Sequence, residues 1–432
     1  MRSVAIDKYY KWLDYIMPVY FVVAFVEFYF GIWHLTTIVK ILSILVSLVI
    51  VIKLYNVNNN NGGMKSFLTL FIVFNLTTGL AYLWNGRPIA CYLNDVMNYI
   101  PAMLFMFVGM FDYRVERTFY KSFLLYCTIS MAIGLLLYVT ATSWFITRSM
   151  EIYNSQWFAE DQYNEDSYLN ALRFSSYLAS EYAVIYLGMA AFCTALFYLY
   201  SNSINTSIKR RVLYIASVII LLVAFFLSQM RVAIVYSVLL LSFYFVRGLK
   251  RQQGGASLKM LLFLTLFTVV AFMYLGASYG DRLDSLLEMV TERLSDLSIG
   301  KLAQGRDTQL STLMSTWDYV IFGHGLGSGG SSAVSRGFPG VTDLQYIKIL
   351  FETGLLGLLF FLVLVLSTLI RSIKFLRYYL IEAGIIGFVL IAMIGGNTLS
   401  LGYLYILPFW YAMGMVWNKN YLNYAKNNRI YA

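Results

Sequence analysis

Apolar stretches of about 20 residues follow one another along the chain, separated by short polar breaks. Within these stretches polar and apolar residues do not alternate, so the period of a half-buried β-strand is missing. An α-helix needs about 20 apolar residues to cross a bilayer, and lipid leaves only helices or closed barrels as spanning structures. The pattern therefore predicts an all-α polytopic membrane protein with about twelve transmembrane helices. The predicted spans are 16–34, 36–55, 66–84, 96–112, 119–145, 175–200, 212–228, 230–247, 259–277, 346–370, 379–396 and 399–417.

The positive charges predict how these spans are oriented. An even number of spans puts both ends of the chain on the same side. Of the 32 Lys and Arg residues, 21 fall in the loops on that side. Short loops rich in Lys and Arg stay in the cytoplasm. We therefore expect both termini to be cytoplasmic, with the polar tail after Trp417 frayed.

Two connections on the predicted outer face exceed the usual loop length. The first, 146–174, is acidic, and the second, 278–345, has leucines at helical spacing between Asp281 and Gly300. Loops this long in a compact fold are usually functional or disordered, and the helical spacing favours an ordered, functional loop. No internal repeat is visible, so the inverted-repeat signature of many transporters is missing. The predicted regions are 1–277 with helices 1–9, the large extracytoplasmic loop 278–345, and 346–432 with helices 10–12 and the tail.

Composition excludes several other classes of protein. Residues are 59% hydrophobic and only 12% charged, against about 25% charged in a soluble domain. The net charge of +10 is spread over short loops, so we expect no nucleic-acid partner. Cys127 and Cys193 fall inside predicted spans and Cys91 in a short loop, which gives no disulfide framework or zinc site. Two histidines far apart give no metal-ligand spacing, and we expect no metal or other cofactor.

Charged residues within the spans gather near the predicted outer face. A charge in a span costs several kcal/mol unless it has a role or a partner. Each one alone also fits a solvated helix end, and Lys348 and Glu352, four residues apart, could simply pair. Glu382 lies at the cytoplasmic end of its span, where its carboxylate can reach water. The outer set predicts a polar cavity whose guanidinium groups suit a phosphate or diphosphate. That set comprises His34, Arg173, Glu181, Arg231, Lys348 and Glu352.

Several short motifs occur in a fixed order in the last third of the chain. Gly305-Arg306-Asp307 and Trp317 precede the glycine-rich run Ile321–Gly327, and Thr342–Tyr346 and Glu352–Gly357 follow it. Earlier in the chain, Leu227–Ala233 places a serine and an arginine at the start of a span. In order and spacing, these motifs resemble the O-antigen polymerase and ligase superfamily. They cover about a fifth of the chain, and topology alone carries the rest of the resemblance.

The resemblance implies a GT-C-like glycosyltransferase architecture in a bacterial inner membrane, with the large loop on the periplasmic side. It also implies transfer of glycan from undecaprenyl diphosphate without nucleotide sugar or metal. Ligases of the family carry a His-Asn pair just before the span after the large loop, where this chain reads Val341-Thr342-Asp343. That departure favours the polymerase branch. The partners would be lipid-linked glycan donor and acceptor, membrane lipid and, as a further candidate, a chain-length regulator.

The chemistry of glycosyl transfer assigns candidate roles to five residues. A leaving diphosphate needs its charge stabilised and an acceptor hydroxyl needs a base. Arg231 and Arg306 are the first candidates for the diphosphate, and Arg173 is the third. Asp343 is either the base or the N-cap of the tenth span. His324 is either a turn residue between glycines or a group that contacts the sugar or phosphate.

Two other functions remain open from the sequence. One is an O-antigen ligase that transfers finished glycan to lipid A core. The other is a non-enzymatic flippase for lipid-linked glycan, which would require a charged path through the bilayer core. Glu352 and Gly354 are expected to serve helix packing rather than chemistry.

Overall fold

A computed structural model gives the architecture of the chain. It describes residues 2–31, 35–55, 62–84, 88–112, 114, 117–140, 144–145, 147–149, 176–178, 181–201, 208–228, 230–250, 320–329, 344–396, 399 and 403–427. Every regular element in these ranges is helical. The α-helices are α1 (Arg2–Phe30), α2 (Leu35–Tyr55), α3 (Gly62–Trp84), α4 (Ile89–Phe111), α5 (Thr118–Thr140), α6 (Glu181–Ser201), α7 (Ile208–Leu227), α8 (Arg231–Lys250), α9 (Gln345–Lys374), α10 (Leu380–Gly395), α11 (Tyr403–Trp417) and α12 (Lys419–Asn427).

The predicted fold class holds at the level of an all-helical, multi-pass membrane protein. Eight of the described helices are long and apolar enough to cross a membrane, and three more are shorter apolar helices. Helices α1 to α11 overlap eleven of the twelve predicted spans. The remaining predicted span, 259–277, lies outside the described residues, as does most of the loop 278–345. The total of twelve spans therefore stays a prediction.

The chain divides into two compact units. The first contains Met1–Leu13, Lys40–Arg117 and Ile299–Ala432. Within it α4 packs against α11, and α9 packs against α3, α10 and α11. Glycines allow the closest of these approaches, because a Cβ at Gly109 would overlap the backbone of Tyr411 and one at Gly414 would overlap the backbone of Met106.

The second unit contains Asp14–Val39 and Thr118–Ser298. Its central element is α6, which packs against α5, α7 and α8 and is almost entirely buried within the protein. Phe192 of α6 meets Phe225 of α7 edge-on, with 5.8 Å between ring centroids. A helix that is apolar all round and buried is expected at the centre of a helical bundle.

Helix α4 begins earlier than predicted. It starts at Ile89, directly after Pro88, rather than at 96. Cys91 is therefore in the first turn of the helix and buried, not in a loop. In the structure Leu93 is exposed while Asp95 is buried, an inside-out pattern that fits a lipid-facing helix with a polar protein-facing side.

The prediction of a frayed tail is wrong. Residues 419–427 form helix α12, on which Tyr421, Leu422 and Ala425 are buried. Asn418 at the joint donates from Nδ2 to the carbonyls of Gly109, at 3.2 Å, and Asp112. These bonds tie the tail to the end of α4, so the apolar side of a short helix finds a partner despite its polar composition.

Glu382 does not reach water, contrary to expectation. Its side chain is fully buried and its Oε2 lies 3.1 Å from an Nη of Arg117. The same Arg117 nitrogen donates to the carbonyl of Tyr378 at 2.5 Å. The neighbouring Tyr379 hydroxyl donates to the carbonyl of Asn418 at 3.4 Å.

Candidate functional site

Helix α9 is broken at Gly354. This glycine has φ 68° and ψ −173° inside an otherwise helical run from Gln345 to Lys374. A left-handed residue cannot continue the helical hydrogen-bond ladder, so the backbone groups around it need other partners. In lipid such groups cannot turn to water.

Residues 320–329, here called the glycine loop, supply those partners. The N–H groups of Leu355 and Leu356 donate to the carbonyls of Val320 and Ile321 at 2.7 and 3.3 Å. In the other direction, the carbonyls of Phe351 and Glu352 accept from the loop. Their donors are the N–H groups of His324 and Gly325, both at 2.8 Å. Four backbone hydrogen bonds therefore bridge the broken helix through the loop.

Glycine is required on both sides of this contact. Gly323 has φ 73° and Gly354 has φ 68°, a region that L side chains rarely adopt. A Cβ on Gly323 would overlap the backbone of Glu352 and Gly354, and a Cβ on Gly354 would overlap the carbonyl of Ile321. The two sequence motifs Ile321–Gly327 and Glu352–Gly357 are thus in direct backbone contact.

Three buried charges join the loop to two helices. Lys348 Nζ on α9 lies 3.0 Å from Asp95 Oδ2 on α4 and 3.7 Å from Glu352 Oε1 on its own helix. Glu352 Oε1 accepts from the N–H groups of Gly327 and Gly329 at 3.3 and 3.0 Å. Asp95, Lys348 and Glu352, here called the charged triad, are at most 4% exposed. These buried side chains need partners of opposite charge, because a single unpaired charge in such a place would be costly.

The alternative that Lys348 simply pairs with Glu352 is met only in part, at 3.7 Å, because the ammonium lies closer to Asp95, which was missed. Sequence reasoning started the fourth span at residue 96, which left Asp95 in a loop. A carboxylate seven residues inside a helix that begins after Pro88 would have signalled a need for a cation. The expectation that Glu352 and Gly354 serve helix packing is met at Gly354 only as a close approach of the glycine loop, not of another helix. For Glu352 it is incomplete, since its carboxylate also holds the loop.

A second polar contact lies close to the triad on α4. Lys40 of α2 donates to Asn98 Oδ1 at 2.5 Å. Asn98 follows Asp95 by three residues, about one helical turn. A lysine of α2 and a lysine of α9 therefore contact polar side chains on the same stretch of α4. This stretch is at the N-terminal ends of α4 and α9, the ends predicted to face the outer side of the membrane.

His324 is held by the contact of the loop with α9. Its ring centroid lies 4.4 Å from that of Phe351, at 32° between planes, and its neighbours Gly323 and Gly325 both have positive φ. These features agree with a turn residue whose position is fixed by the helix. A chemical role for the imidazole stays a prediction.

Of the other predicted site residues, only Arg231 has a described backbone position. Arg231 is the first residue of α8 and belongs to the second unit. Arg173, Arg306, Asp343 and His34 lie outside the described residues. Among the residues that are described, no three His, Cys, Asp or Glu side chains gather as ligands for a metal ion.

The glycine loop can hold the non-helical backbone of α9 around Gly354 in place within the membrane. Broken helices with satisfied backbone are tolerated in membranes where protein or a ligand cavity surrounds them. Comparison with known proteins adds no assignment, since no family model and no curated protein matches the chain. The motif resemblance and the geometry of the glycine loop are thus the two sources for a functional proposal.

Proposed function

We propose that this protein is a bacterial inner-membrane glycosyltransferase that polymerises lipid-linked oligosaccharide repeat units into O-antigen or capsular polysaccharide. The observation that supports the proposal is the contact between the glycine loop and the break in α9. The two best-defined motifs of the resemblance, 321–327 and 352–357, belong to one structural unit with a buried charged triad beside it. A motif pair that builds a broken transmembrane helix fits an intramembrane substrate site.

In the proposed reaction the growing glycan is the donor and a new lipid-linked repeat unit is the acceptor. An acceptor hydroxyl attacks the anomeric carbon of the donor sugar with inversion. The bond from that carbon to the diphosphate oxygen breaks, and undecaprenyl diphosphate leaves with the electron pair. The proton of the hydroxyl passes to a base, for which Asp343 is the candidate. Both chain termini are cytoplasmic in this proposal, and the reaction occurs on the outer face.

Arginine side chains stabilise the leaving group in this mechanism. Arg231, Arg306 and Arg173 are the candidates, because a planar guanidinium matches two phosphate oxygens and keeps its charge. Charge that develops in the transition state is stabilised most by donors already in position. The glycine loop would present His324 and its backbone to the sugars or the diphosphate.

The test uses purified full-length protein in liposomes with lipid-linked repeat units as the only glycan. Wild-type protein should produce a ladder of longer lipid-linked glycans. Arg306→Ala and Arg231→Ala should each lower the rate by about 100-fold or more, at unchanged protein level. Arg210→Ala is the matched control, because Arg210 is an exposed residue near the start of α7, and its ladder should equal that of wild type.

Three outcomes would contradict the proposal in different ways. Movement of lipid across the bilayer without new glycosidic bonds would indicate a flippase. In parallel liposomes that also contain lipid A core, transfer only to that core would indicate a ligase. Normal ladders from both arginine variants would leave polymerisation in place and refute the site assignment.

A further inference from the structure

The charged triad reaches the glycine loop through a continuous series of contacts. It starts at Asp95 on α4, passes through Lys348 on α9 at 3.0 Å, and continues to Glu352 at 3.7 Å. It ends at the N–H groups of Gly327 and Gly329, which both donate to the same Glu352 oxygen. The first contact joins α4 to α9 and the last joins α9 to the loop, so the series sets the loop against two helices at once.

The formal charges explain why Asp95 is needed in this series. Lys348 and Glu352 are neighbours on one helix and could satisfy each other without α4. Yet the ammonium lies closer to Asp95 than to Glu352, which leaves the Glu352 oxygen to accept from two backbone N–H groups. Charge-assisted hydrogen bonds of this kind are stronger than neutral ones. Asp95 therefore fixes where the ammonium lies, and the ammonium fixes the carboxylate that holds the loop.

We infer that Asp95 is a positioning residue for the glycine loop, acting through Lys348 and Glu352. For its link to catalysis the inference rests on the proposed function, because the loop carries His324 and one of the motif segments. A displacement of about 1 Å in a catalytic segment can lower a rate by about 100-fold. Loss of Asp95 should therefore affect turnover more than binding of the lipid-linked substrate.

The first variant is Asp95→Asn, which keeps the size of the side chain and removes its charge. Hydrogen–deuterium exchange is measured by mass spectrometry on the full chain in nanodiscs, for peptides within 320–329. We expect exchange of the loop amides to become about tenfold faster, since local opening costs less when a buried network is weakened. In the liposome assay kcat should fall by about tenfold and KM should stay within about twofold.

A second variant reaches the same contacts from the loop side without removing any charge. A Cβ on Gly329 would lie 3.2 Å from Cγ of Glu352 and 3.2 Å from Cγ of Lys348. Gly329→Ala should therefore displace the carboxylate slightly and also speed exchange within 320–329. This variant keeps the inference testable even if Asp95→Asn expresses poorly.

Two control variants match these changes. Glu382→Gln removes a carboxylate from another buried ion pair, with Arg117, that the described contacts do not connect to the loop. Gly63→Ala adds a methyl group in α3 where no atom lies within 4 Å. Neither control should change exchange within 320–329.

The two readouts separate this inference from the proposed function. Faster loop exchange in Asp95→Asn and Gly329→Ala supports positioning of the loop by Asp95, even if wild-type protein forms no glycosidic bonds. Unchanged exchange in either variant overturns the inference, whatever the activity of the wild type. Faster exchange with an unchanged kcat would overturn the catalytic part of the inference alone.

Discussion

Gly323 and Gly354 face each other across the contact between the glycine loop and α9. Each has a backbone conformation that favours glycine, and each lies where a methyl group would overlap the backbone of the other segment. Either feature alone would cost about 1–3 kcal/mol in an L residue. Together they make this pair the residues at which the site is least tolerant of substitution.

Gly354→Ala should lower the free energy of unfolding by at least about 2 kcal/mol, since positive φ and backbone overlap add. The measurement is SDS-induced unfolding of purified protein, followed by loss of helical circular dichroism. Gly63→Ala provides the matched control, as its added methyl group meets open space. Equal unfolding curves for the two variants would show that α9 adapts to a side chain at its break.

Part of this arrangement of residues could be predicted from the sequence. A pairing of Lys348 with Glu352 was one alternative offered by their i,i+4 spacing, and the run Ile321–Gly327 was singled out for its glycines. The break at Gly354 could not be foreseen, because Glu-Thr-Gly-Leu-Leu within an apolar run is compatible with an unbroken span. The partner of that break lies about 30 residues earlier in the chain, and periodicity carries no information about such contacts.

At the scale of elements, the joint between α11 and α12 shows how a short polar segment becomes ordered. Asn418 is 1% exposed and makes three hydrogen bonds to backbone groups. Two go to the carbonyls of Gly109 and Asp112, and one comes from the N–H of Tyr421 at 3.0 Å. One amide side chain thus links the ends of α4, α11 and α12.

Asn418→Ala should reduce the free energy of unfolding by on the order of 3 kcal/mol, because it leaves buried backbone groups without their partner. Asn423→Ala on α12 is the control, since Asn423 is exposed. SDS-induced unfolding measures the free energy of unfolding of both variants. A similar, small effect of the two substitutions would mean that α12 contributes little to the end of α4.

Most of the helices could be predicted from the sequence, but the residues at which some of them begin and end could not. Apolar runs predicted ten of the described helices to within about seven residues, because lipid imposes both a length and a composition, whereas α1 begins well before its predicted start at residue 16. Helix α4 begins seven residues before its predicted start, and the Asp95 carboxylate that this places inside the helix is paired with Lys348. Helix α12 was missed because only Tyr421, Leu422 and Ala425 are buried, too few apolar positions to outweigh its Lys and Asn residues.

At the scale of the whole molecule, the distribution of Lys and Arg predicts which helix ends face the cytoplasm. The N-terminal ends of α4 and α9, where the charged triad lies, are assigned to the outer side. Helix α12 is assigned to the cytoplasm together with the basic segment 371–377. The division into two compact units was not foreseen, because each unit combines segments distant in sequence.

Labelling of single cysteines in intact cells tests this orientation. Ile89→Cys, at the exposed start of α4, should react with a membrane-impermeant maleimide from outside. Lys419→Cys on α12 should react only after the membrane is permeabilised, since maleimides need an accessible thiolate. The native Cys91, Cys127 and Cys193 are buried, so background labelling should be low. Reversed labelling would invert the predicted topology and move the triad to the cytoplasmic face.

The order of the glycine loop and α9 in the chain has a consequence for synthesis. The loop, 320–329, leaves the ribosome before Gly354 does. When the broken helix enters the insertion machinery, the carbonyls and amides that complete it have therefore already been made. A circular permutation that placed the loop after α9 would reverse this order, and the nascent helix would then meet lipid with its break unrepaired.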